Sequence, residues 1–305
     1  MHDIIIIGAG PAGYTAGIYC SRARHDTLLI SGILPGGQLM NTTDVENYPG
    51  FSDGIMGPDL MTVMRKQTEK MGTKIIDDEV TSVDFKNKPL KVKTASEEFE
   101  ARAVIVCTGA NPRKIGLDGE QTFAGKGVSY CATCDGAFFR DQELIVVGGG
   151  DSAMEEAIFL TKFASVVHIV HRKEEFRASK IMQERALSNE KIKVHFNSTV
   201  KEIHGDQKFQ QVVLNNTKTN EDKILEAGGL FIAIGHEPNS AIFQDQIELD
   251  ENGYIIIKNN TETSVTGVFC AGDVHDHRYR QAVTAAGFGC MAAIDVDKYL
   301  SESDT

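Results

Sequence analysis

The 305-residue sequence predicts an α/β protein with two Rossmann-like nucleotide-binding domains, each carrying an antiparallel β-meander. Two observations lead to this prediction. An apolar strand, a glycine-rich turn and a helix occur in this order twice, first from Ile4 and again from Leu144. In each half, alternating strands and polar turns then lead to a last apolar strand that ends in glycine. A chain of this length also has room for two domains.

The elements of the two halves correspond one to one. In the first half we predict strands over residues 4–7, 27–30 and 103–109, and a helix with Ala12, Ala16 and Tyr19 at helical spacing. In the second half we predict strands over residues 144–147, 166–170 and 230–235. The second helix has apolar residues at Met154, Ala157, Ile158 and Leu160. A proline-containing turn is expected after each closing strand, at Asn111-Pro112 and Glu237-Pro238.

The two glycine-rich turns predict dinucleotide binding. A first glycine allows the tight turn, a second lets the backbone approach a pyrophosphate, and a third lets helix and strand pack closely. A strand, turn and helix without a ligand is the alternative, but both turns stand directly between a strand and a helix, as a nucleotide site requires. The predicted contacts are Gly8, Gly10, Pro11, Ala12 and Gly13 in the first turn and Gly148, Gly150, Asp151 and Ser152 in the second.

Neither half has an acidic residue at the end of its second strand, where a ribose 2′-hydroxyl would be bound. In the second half that strand is followed by His171, Arg172 and Lys173, with Arg177 one turn further on. Cations at this place suit a 2′-phosphate, because charge-assisted hydrogen bonds to phosphate are strong. Solvated basic residues are the alternative. Following a glycine turn, the basic cluster favours NADPH over NADH.

Composition excludes several classes of function. The apolar fraction is 41%, the charged fraction is 24%, and the formal net charge is −12. These values indicate a globular protein, and the negative charge disfavours nucleic acid and anionic membranes as partners. No apolar run approaches the roughly 20 residues of a membrane span. Because a strand is predicted almost at the first residue, we expect no signal peptide and a cytoplasmic protein.

Six cysteines are present, and two of them, Cys131 and Cys134, form a Cys-x-x-Cys pair that can close and reopen a disulfide. In a reducing cytoplasm such a pair is more typical of redox chemistry than of a static crosslink. Structural zinc is the alternative, but no second ligand pair lies at zinc-finger spacing, so we expect no metal. The remaining cysteines are expected to be buried apolar residues: Cys20, Cys107, Cys270 and Cys290. His275 and His277 are expected to be solvated loop residues.

Several segments together closely resemble the low-molecular-weight class of thioredoxin reductases, and the resemblance spans essentially the whole chain. They are Cys131-Ala132-Thr133-Cys134-Asp135-Gly136, Gly36-Gly37-Gln38-Leu39, Val45-Glu46-Asn47-Tyr48-Pro49-Gly50, Cys270-Ala271-Gly272-Asp273 and Tyr279-Arg280-Gln281-Ala282. The resemblance implies an FAD-binding domain at 1–112 and 239–305, into which an NADPH-binding domain at 113–238 is inserted. It also implies a homodimer.

The resemblance assigns further residues to cofactor binding. Asp273 would bind the ribitol of FAD, and the segment from Arg280 would lie near the flavin ring. The other assigned residues are Ser31, Gly36, Gly37, Gln38, Asn47, Gly109, Gly235, Gly272, Gln281 and Ala282. One departure concerns the 2′-phosphate motif, in which Lys173 stands where the family usually has arginine. Lysine lacks the planar fork of arginine, so selectivity for NADPH is expected to be softer.

The implied reaction is reduction of thioredoxin by NADPH through FAD and the Cys131–Cys134 disulfide. By analogy Cys131 attacks the partner, Cys134 faces the flavin, and Asp135 serves as acid or base; for Asp135 a turn or capping role is the alternative. Rotation about the crossings near 112–116 and 236–241 would let both the dithiol and the nicotinamide reach one flavin. Alternatives are a reductase of another thioredoxin-like or peroxidase-linked partner, and a nucleotide sensor without turnover; a ferredoxin reductase would lack the dithiol.

Overall fold

A computed structural model describes residues 1–303 and is a mixed α/β structure, as predicted. Its strands, numbered in chain order, are β1 (His2–Ile7), β2 (Thr27–Ile30), β3 (Asp44–Val45), β4 (Ile55–Met56), β5 (Lys74–Ile76), β6 (Val80–Asp84), β7 (Leu90–Thr94), β8 (Glu98–Val106), β9 (Ala110–Pro112), β10 (Val128–Ser129), β11 (Glu143–Val147), β12 (Val166–Val170), β13 (Ile192–His195), β14 (Ser198–Gly205), β15 (Phe209–Asn216), β16 (Asp222–Glu226), β17 (Gly229–Ile232), β18 (His236–Pro238) and β19 (Val268–Cys270).

The α-helices are α1 (Pro11–Arg22), α2 (Gly57–Lys70), α3 (Asp118–Thr122), α4 (Ala132–Asp135), α5 (Asp151–Leu160), α6 (Lys180–Leu187) and α7 (Ala282–Ser303). Short 3-10 helices occupy Gly37–Asn41, Gly136–Phe139 and Ala241–Phe243. The chain divides into two compact units. Unit 1 contains Met1–Asn111 and the chain from Glu237 onward, and unit 2 contains Pro112–His236.

Unit 1 is built on a sheet with the strand order β5-β2-β1-β8-β7-β6, and β19 also pairs with β8. The long strand β8 is parallel to β1 along most of its length, antiparallel to β7 at its start and parallel to β19 at its end. Side chains alternate between the two faces of β1. Ile4 and Ile6 pack in the cluster with helices α1, α2 and α7, whereas Ile5 and Ile7 pack on the opposite side. Both clusters are needed because a parallel sheet is buried on both faces.

Unit 2 repeats this arrangement with a five-stranded parallel sheet of order β10-β17-β11-β12-β13. One face packs against α5 and α6. The other packs against the antiparallel meander β14-β15-β16, the counterpart of β6-β7-β8 in unit 1. Equivalent hydrogen bonds confirm the repeat, since Gly8 N donates to Ile30 O at 2.8 Å and Gly148 N donates to Val170 O at 3.1 Å.

The structure corrects three expectations about local structure. The closing strand β8 ends at Val106, so Cys107 lies just beyond the strand. The predicted turns at Asn111-Pro112 and Glu237-Pro238 are instead parts of β9 and β18, which pair with each other. Tyr19 is on α1, but its side chain is 44% exposed and is not part of the core. The buried residues of α1 include Gly13, Ala16, Gly17 and Cys20, and the helical repeat places Tyr19 outside the face that they share.

Candidate active site

The redox pair lies on the shortest helix of unit 2. Cys131 and Cys134 form a disulfide with their Cα atoms 5.3 Å apart, and Cys131 is the residue that caps α4. The Cys131 Sγ accepts a hydrogen bond from the Cys134 backbone N–H at 3.2 Å, and the Thr133 hydroxyl lies 3.3 Å from the same sulfur. A disulfide sulfur carries no hydrogen, so the hydroxyl is the donor. Two donors therefore point at Cys131 Sγ, where negative charge would be stabilised once the disulfide opens.

Asp135 ends the same helix and lies beside the cysteines. Its backbone N–H donates to Cys131 O at 3.1 Å, and its Oδ2 accepts a hydrogen bond of 2.6 Å from the Ser129 hydroxyl. Burial raises the pKa of Asp135 above the ordinary carboxyl value, and the hydrogen bond from Ser129 opposes this rise. A carboxyl with a raised pKa beside a dithiol can hold or release a proton closer to neutral pH.

A second buried carboxylate holds the segment that leads to the dithiol. Glu120 is 1% exposed, and its two oxygens accept hydrogen bonds from the backbone N–H groups of Ile115 at 3.1 Å and Gly116 at 2.7 Å. The Tyr130 hydroxyl donates to Glu120 Oε1 at 2.9 Å. Neither Ser129 nor Glu120 is predicted from the sequence as a site residue. For Ser129 a signal existed, since it precedes Cys131 by two residues, but the contacts of Glu120 form only in the folded unit.

The first glycine-rich turn has the geometry of a phosphate cradle. A Cβ on Gly8 would lie 2.4 Å from Cys107 O, and one on Gly13 would lie 1.9 Å from Gly8 O, so both positions require glycine for packing. A Cβ on Gly10 would meet no atom within 4 Å, so the space above this residue is open. Gly10 precedes α1, and no side chain caps that helix. Its first N–H groups are therefore available to an anion such as the FAD pyrophosphate.

The other residues assigned to FAD lie in unit 1, and several contact one another. Asn47 Nδ2 lies 3.4 Å from Gln281 Oε1, which links two distant segments of sequence. Gln38 Nε2 donates to Asn111 Oδ1 at 2.6 Å. Ser31 is buried and donates to Asp77 Oδ1 at 2.9 Å, an interaction that the sequence did not suggest. Gly36 caps the first 3-10 helix and Gly37 begins it, Gly109 and Gly272 follow β8 and β19, and Ala282 begins α7.

Polar atoms without partners mark the segment after β19. Asp273 Oδ1, His275 Nε2 and Arg280 Nε are buried, and none has a hydrogen-bond partner within residues 1–303. Burial raises the pKa of Asp273 to about 7, the nearby Asp276 adds to the rise, and Arg280 opposes it. Buried polar atoms are normally hydrogen-bonded, so three orphans in one segment fit a bound polar molecule. The hydroxyl-rich ribitol of FAD matches this donor and acceptor set.

The second glycine-rich turn repeats the first in unit 2. Gly150 is open, as Gly10 is, whereas a Cβ on Gly148 would lie 2.4 Å from Ala233 O and one on Gly149 would lie 2.2 Å from the His171 ring. The basic segment folds back onto this turn, because Arg177 N donates to Gly149 O at 2.7 Å. The structure therefore brings the glycine turn and the predicted phosphate-binding cations into one site.

The side chains of that cluster differ in exposure. Arg172, Lys173 and Arg177 are exposed, whereas His171 is buried and its Nε2 lies 3.0 Å from Glu175 O. Asp151 was predicted to contact the nucleotide, but its Oδ1 already accepts hydrogen bonds from the backbone N–H and the hydroxyl of Ser179. Ser152 follows in the first turn of α5, and Gly235 follows β17, where its carbonyl accepts a hydrogen bond from Arg113 N at 2.9 Å.

Two expectations about histidine and cysteine are wrong. His275 is not a solvated loop residue, because its ring packs edge-to-face on Phe288 at 4.5 Å and burial lowers its pKa to about 4; His277 is exposed. Cys290 is only partly buried, whereas Cys20, Cys107 and Cys270 are buried as predicted. Cys290 lies among other small residues on α7, so the sequence does not indicate whether it faces the core or the solvent. Within residues 1–303, no helix is both long enough and apolar enough to span a bilayer.

Comparison with known proteins identifies the family. Residues 2–289 match the family described as pyridine nucleotide-disulphide oxidoreductase. The thioredoxin reductase of Streptomyces clavuligerus is 53% identical, covering 99% of this chain and 94% of the relative, and that of Mycolicibacterium smegmatis is 52% identical, covering 100% and 98%. The solved thioredoxin reductase from Giardia duodenalis has a TM-score of 0.95 at 43% identity, covering 98% and 99% of the two chains.

Two nucleotide-binding folds and a Cys-x-x-Cys disulfide define a two-electron oxidoreductase of disulfides. The chain belongs to the pyridine nucleotide-disulphide oxidoreductase family, and within it to the thioredoxin reductases.

Proposed function

We propose that this protein is a thioredoxin-disulfide reductase that transfers electrons from NADPH through FAD and the Cys131–Cys134 disulfide to thioredoxin. The thioredoxin reductases that this chain resembles over its whole length support this function, and so does the disulfide at α4, where Cys134 is exposed. The single observation that carries the proposal is the dithiol site itself, because neither a ferredoxin reductase nor a nucleotide sensor needs a reversible disulfide with a carboxyl group beside it.

Unit 1 is proposed to hold FAD. The open space at Gly10 would receive the pyrophosphate, and the buried atoms Asp273 Oδ1 and Arg280 Nε would find in the cofactor the hydrogen-bond partners that they lack. When bound, FAD supplies a carrier that accepts two electrons from the nicotinamide and passes them to a disulfide. Asp273, with its raised pKa, is suited to exchange hydrogen bonds with the hydroxyls of the ribitol.

Unit 2 is proposed to hold NADPH. Gly150 offers the same open approach as Gly10, and Arg172 and Arg177 are exposed cations that can each bind a phosphate oxygen. The hydrogen bond from Arg177 N to Gly149 O places the cation segment against the glycine turn, so one dinucleotide can contact both. Lys173 keeps the charge without the planar fork of arginine, which predicts softer discrimination against NADH.

The chain's own residues explain the chemistry of the dithiol. Cys131 is proposed as the thiol that attacks the partner, because the Cys134 N–H and the Thr133 hydroxyl would stabilise a thiolate at its sulfur. Cys134 would then resolve the mixed disulfide, and Asp135 would accept and return protons during the exchange.

The two crossings are proposed to act as hinges, so that the dithiol and the nicotinamide can each reach the flavin in turn. Glu120 accepts hydrogen bonds from the backbone N–H groups of Ile115 and Gly116 within unit 2. These two residues of the first crossing are therefore held in place and would not take part in the hinge motion. The mobile part of the first crossing would then lie before Ile115. We also propose a cytoplasmic location, where reduced nucleotide and thioredoxin are both available.

A homodimer is proposed from an exposed apolar face on unit 1. Helix α7 packs on α1 through its small residues and leaves Val283, Met291 and Ile294 exposed on another face. Tyr19 of α1 is also exposed. Contiguous exposed apolar side chains commonly mark an interaction surface, and in a symmetric dimer the same surface on two copies is self-complementary.

The proposal is tested by replacing Cys131 or Cys134 with serine. Both variants should lose thioredoxin reduction, because no disulfide can form, yet NADPH should still bleach the flavin absorbance under anaerobic conditions. If Cys131 is the attacking thiol, the Cys134→Ser variant should accumulate a mixed disulfide with thioredoxin that mass spectrometry detects, and Cys131→Ser should accumulate less. Near-normal thioredoxin turnover in either variant would refute the exchange mechanism, and reversed trapping would refute only the assignment of roles.

Another thioredoxin-like or peroxidase-linked disulfide remains the second candidate substrate. The dithiol site fits any accessible disulfide, so competition between thioredoxin and such a protein for the NADPH-reduced enzyme separates the two. A nucleotide sensor would bind NADPH without flavin bleaching and without electron transfer to either protein.

A further inference from the structure

We propose that Ser129 is a positioning residue that holds Asp135 in place for proton transfer to and from the dithiol. The inference deepens the proposed function and rests on it. Ser129 is the last residue of β10, and only 4% of it is exposed. Its hydroxyl oxygen lies 2.6 Å from Asp135 Oδ2 and 3.0 Å from the backbone N of Cys131.

The two distances determine how the hydroxyl is oriented. The Cys131 N–H can only donate, so the Ser129 oxygen accepts that hydrogen bond with a lone pair. The hydroxyl hydrogen is left for an acceptor, and Asp135 Oδ2 at 2.6 Å is much closer than Cys131 O at 3.4 Å. One buried hydroxyl therefore joins the carboxyl group of Asp135 to the backbone of Cys131.

Proton transfer during the exchange explains why this position matters. The Cys131 thiolate attacks the partner's disulfide, which forms a mixed disulfide and releases one partner thiolate. The Cys134 thiolate then attacks Cys131 Sγ, which re-forms the Cys131–Cys134 disulfide and releases the second partner thiolate. The dithiol, previously reduced by NADPH, is oxidised and the partner is reduced. The two protons lost by the cysteines end on the two partner thiolates, and Asp135 can carry each of them only if its carboxyl stays beside the sulfurs.

Ser129 is the side chain that donates a hydrogen bond to the Asp135 carboxyl. Burial raises the pKa of Asp135, and the Ser129 hydrogen bond acts against that rise. Helix α5, which packs on α4, carries the acidic residues Asp151, Glu155 and Glu156. An ionised carboxylate has no hydrogen to donate, so none of these side chains can replace the Ser129 hydroxyl as the donor to Asp135.

A double-mutant cycle in the full-length FAD enzyme tests the inference. We expect Ser129→Ala to lower kcat for thioredoxin by about tenfold, the value of one hydrogen bond, with little change in KM. Flavin bleaching by NADPH should keep its wild-type rate, and Ser129→Thr, which keeps the hydroxyl, should recover most of the kcat. Asp135→Asn should lower kcat more, and adding Ser129→Ala to it should cause no further loss, because Ser129 acts through Asp135. Ser198→Ala is the control, since it removes a hydroxyl bonded only to Phe196 O in the same unit.

The double-mutant cycle distinguishes a failure of the Ser129 inference from a failure of the proposed function. Multiplicative losses in the double variant would overturn the role of Ser129 while leaving that of Asp135 intact. A Ser129→Ala protein that NADPH cannot bleach would also overturn it, because Ser129 would then be needed for folding. An unchanged kcat in Asp135→Asn would instead refute the acid–base role in the proposed function.

Discussion

At the level of single residues, the proposed selectivity for NADPH depends on two exposed cations of unit 2, Arg172 and Arg177. Replacing both Arg172 and Arg177 with alanine removes two charged contacts to the 2′-phosphate, each typically worth about 1.5–3 kcal/mol. We expect kcat/KM for NADPH to fall by about a hundredfold or more, and that for NADH to change little. Steady-state kinetics with both nucleotides measure this.

The control for that experiment is Arg185→Ala, which removes an exposed cation from α6 of the same unit. It should leave both nucleotides unaffected. Equal losses for NADPH and NADH in the double variant would mean that the two arginines maintain structure and do not bind phosphate.

The raised pKa of Asp273 predicts that the free energy of unfolding of the cofactor-free protein depends on pH. Its pKa in the folded chain is about 7, whereas an unfolded aspartate has a pKa of about 3.9. The unfolded state therefore releases this proton first as pH rises. The contribution of Asp273 to stability is complete below about pH 4 and is lost as pH rises to about 7, by up to about 4 kcal/mol. Chemical denaturation of apoprotein across this range measures the loss.

The matched variant is Asp273→Asn, which cannot ionise. Its free energy of unfolding should fall less between pH 4 and pH 7 than that of the wild-type protein. Parallel curves for the two proteins would show that the carboxyl of Asp273 titrates normally and is not held in a buried, partnerless state.

At the level of elements, two glycines of the first glycine-rich turn are expected to have different tasks, Gly13 in the packing of α1 and Gly10 in FAD binding. Gly13→Ala forces a Cβ to within 1.9 Å of Gly8 O, so α1 must move away from β1, and we expect a loss of several kcal/mol in unfolding free energy. Gly10→Ala meets no protein atom, so apoprotein stability should change by less than about 1 kcal/mol. Its methyl group would nevertheless occupy the pyrophosphate space and weaken FAD binding.

Thermal unfolding of the apoproteins and fluorescence titration with FAD distinguish these effects. The expected result is an unstable Gly13→Ala protein and a stable Gly10→Ala protein that binds FAD poorly. Normal FAD affinity in Gly10→Ala would show that the cofactor does not approach this turn.

Sequence predicted the glycine turns and the first strands well because their signals are local. Glycine spacing, strand hydrophobicity and helix periodicity all lie within about 25 residues. Predictions from the sequence were wrong where tertiary contacts determine the local structure. The segments at Asn111-Pro112 and Glu237-Pro238 look like turns, yet they pair as strands because the chain passes between the units twice. His275 was assigned to solvent because no local pattern indicates its contact with Phe288.

The site shows the same division between local and tertiary signals. The spacing of Cys131 and Cys134 predicts their disulfide because both lie in one short motif, and the role of Asp135 beside them stays a prediction. The contacts of Ser129 with Asp135 and of Glu120 with Tyr130 depend on how β10 and α3 fold, so composition and spacing could not predict them. The hydrogen bond from Arg177 to Gly149 likewise joins segments that the sequence separates.

At the scale of the whole molecule, the exposed face of α7 predicts association. Ile294 is 56% exposed and lies on the apolar face opposite the packing with α1. Ile294→Asp should convert a dimer to a monomer, because a charge would have to be buried in the interface without a partner. Sedimentation equilibrium measures the mass of each protein. Lys66→Asp, a charge change at an exposed position of α2 in the same unit, is the control. A monomeric wild-type protein would refute the homodimer.

In the proposed cycle, electrons pass from NADPH through FAD to the Cys131–Cys134 disulfide. Anaerobic titration of the FAD enzyme with NADPH, followed by flavin absorbance and free-thiol assay, tests this route. Full reduction should consume about two equivalents of NADPH per FAD in the wild-type protein, one for each two-electron acceptor, and about one in the Cys131→Ser/Cys134→Ser variant. Equal consumption by both proteins, with no new thiols in the wild type, would contradict it.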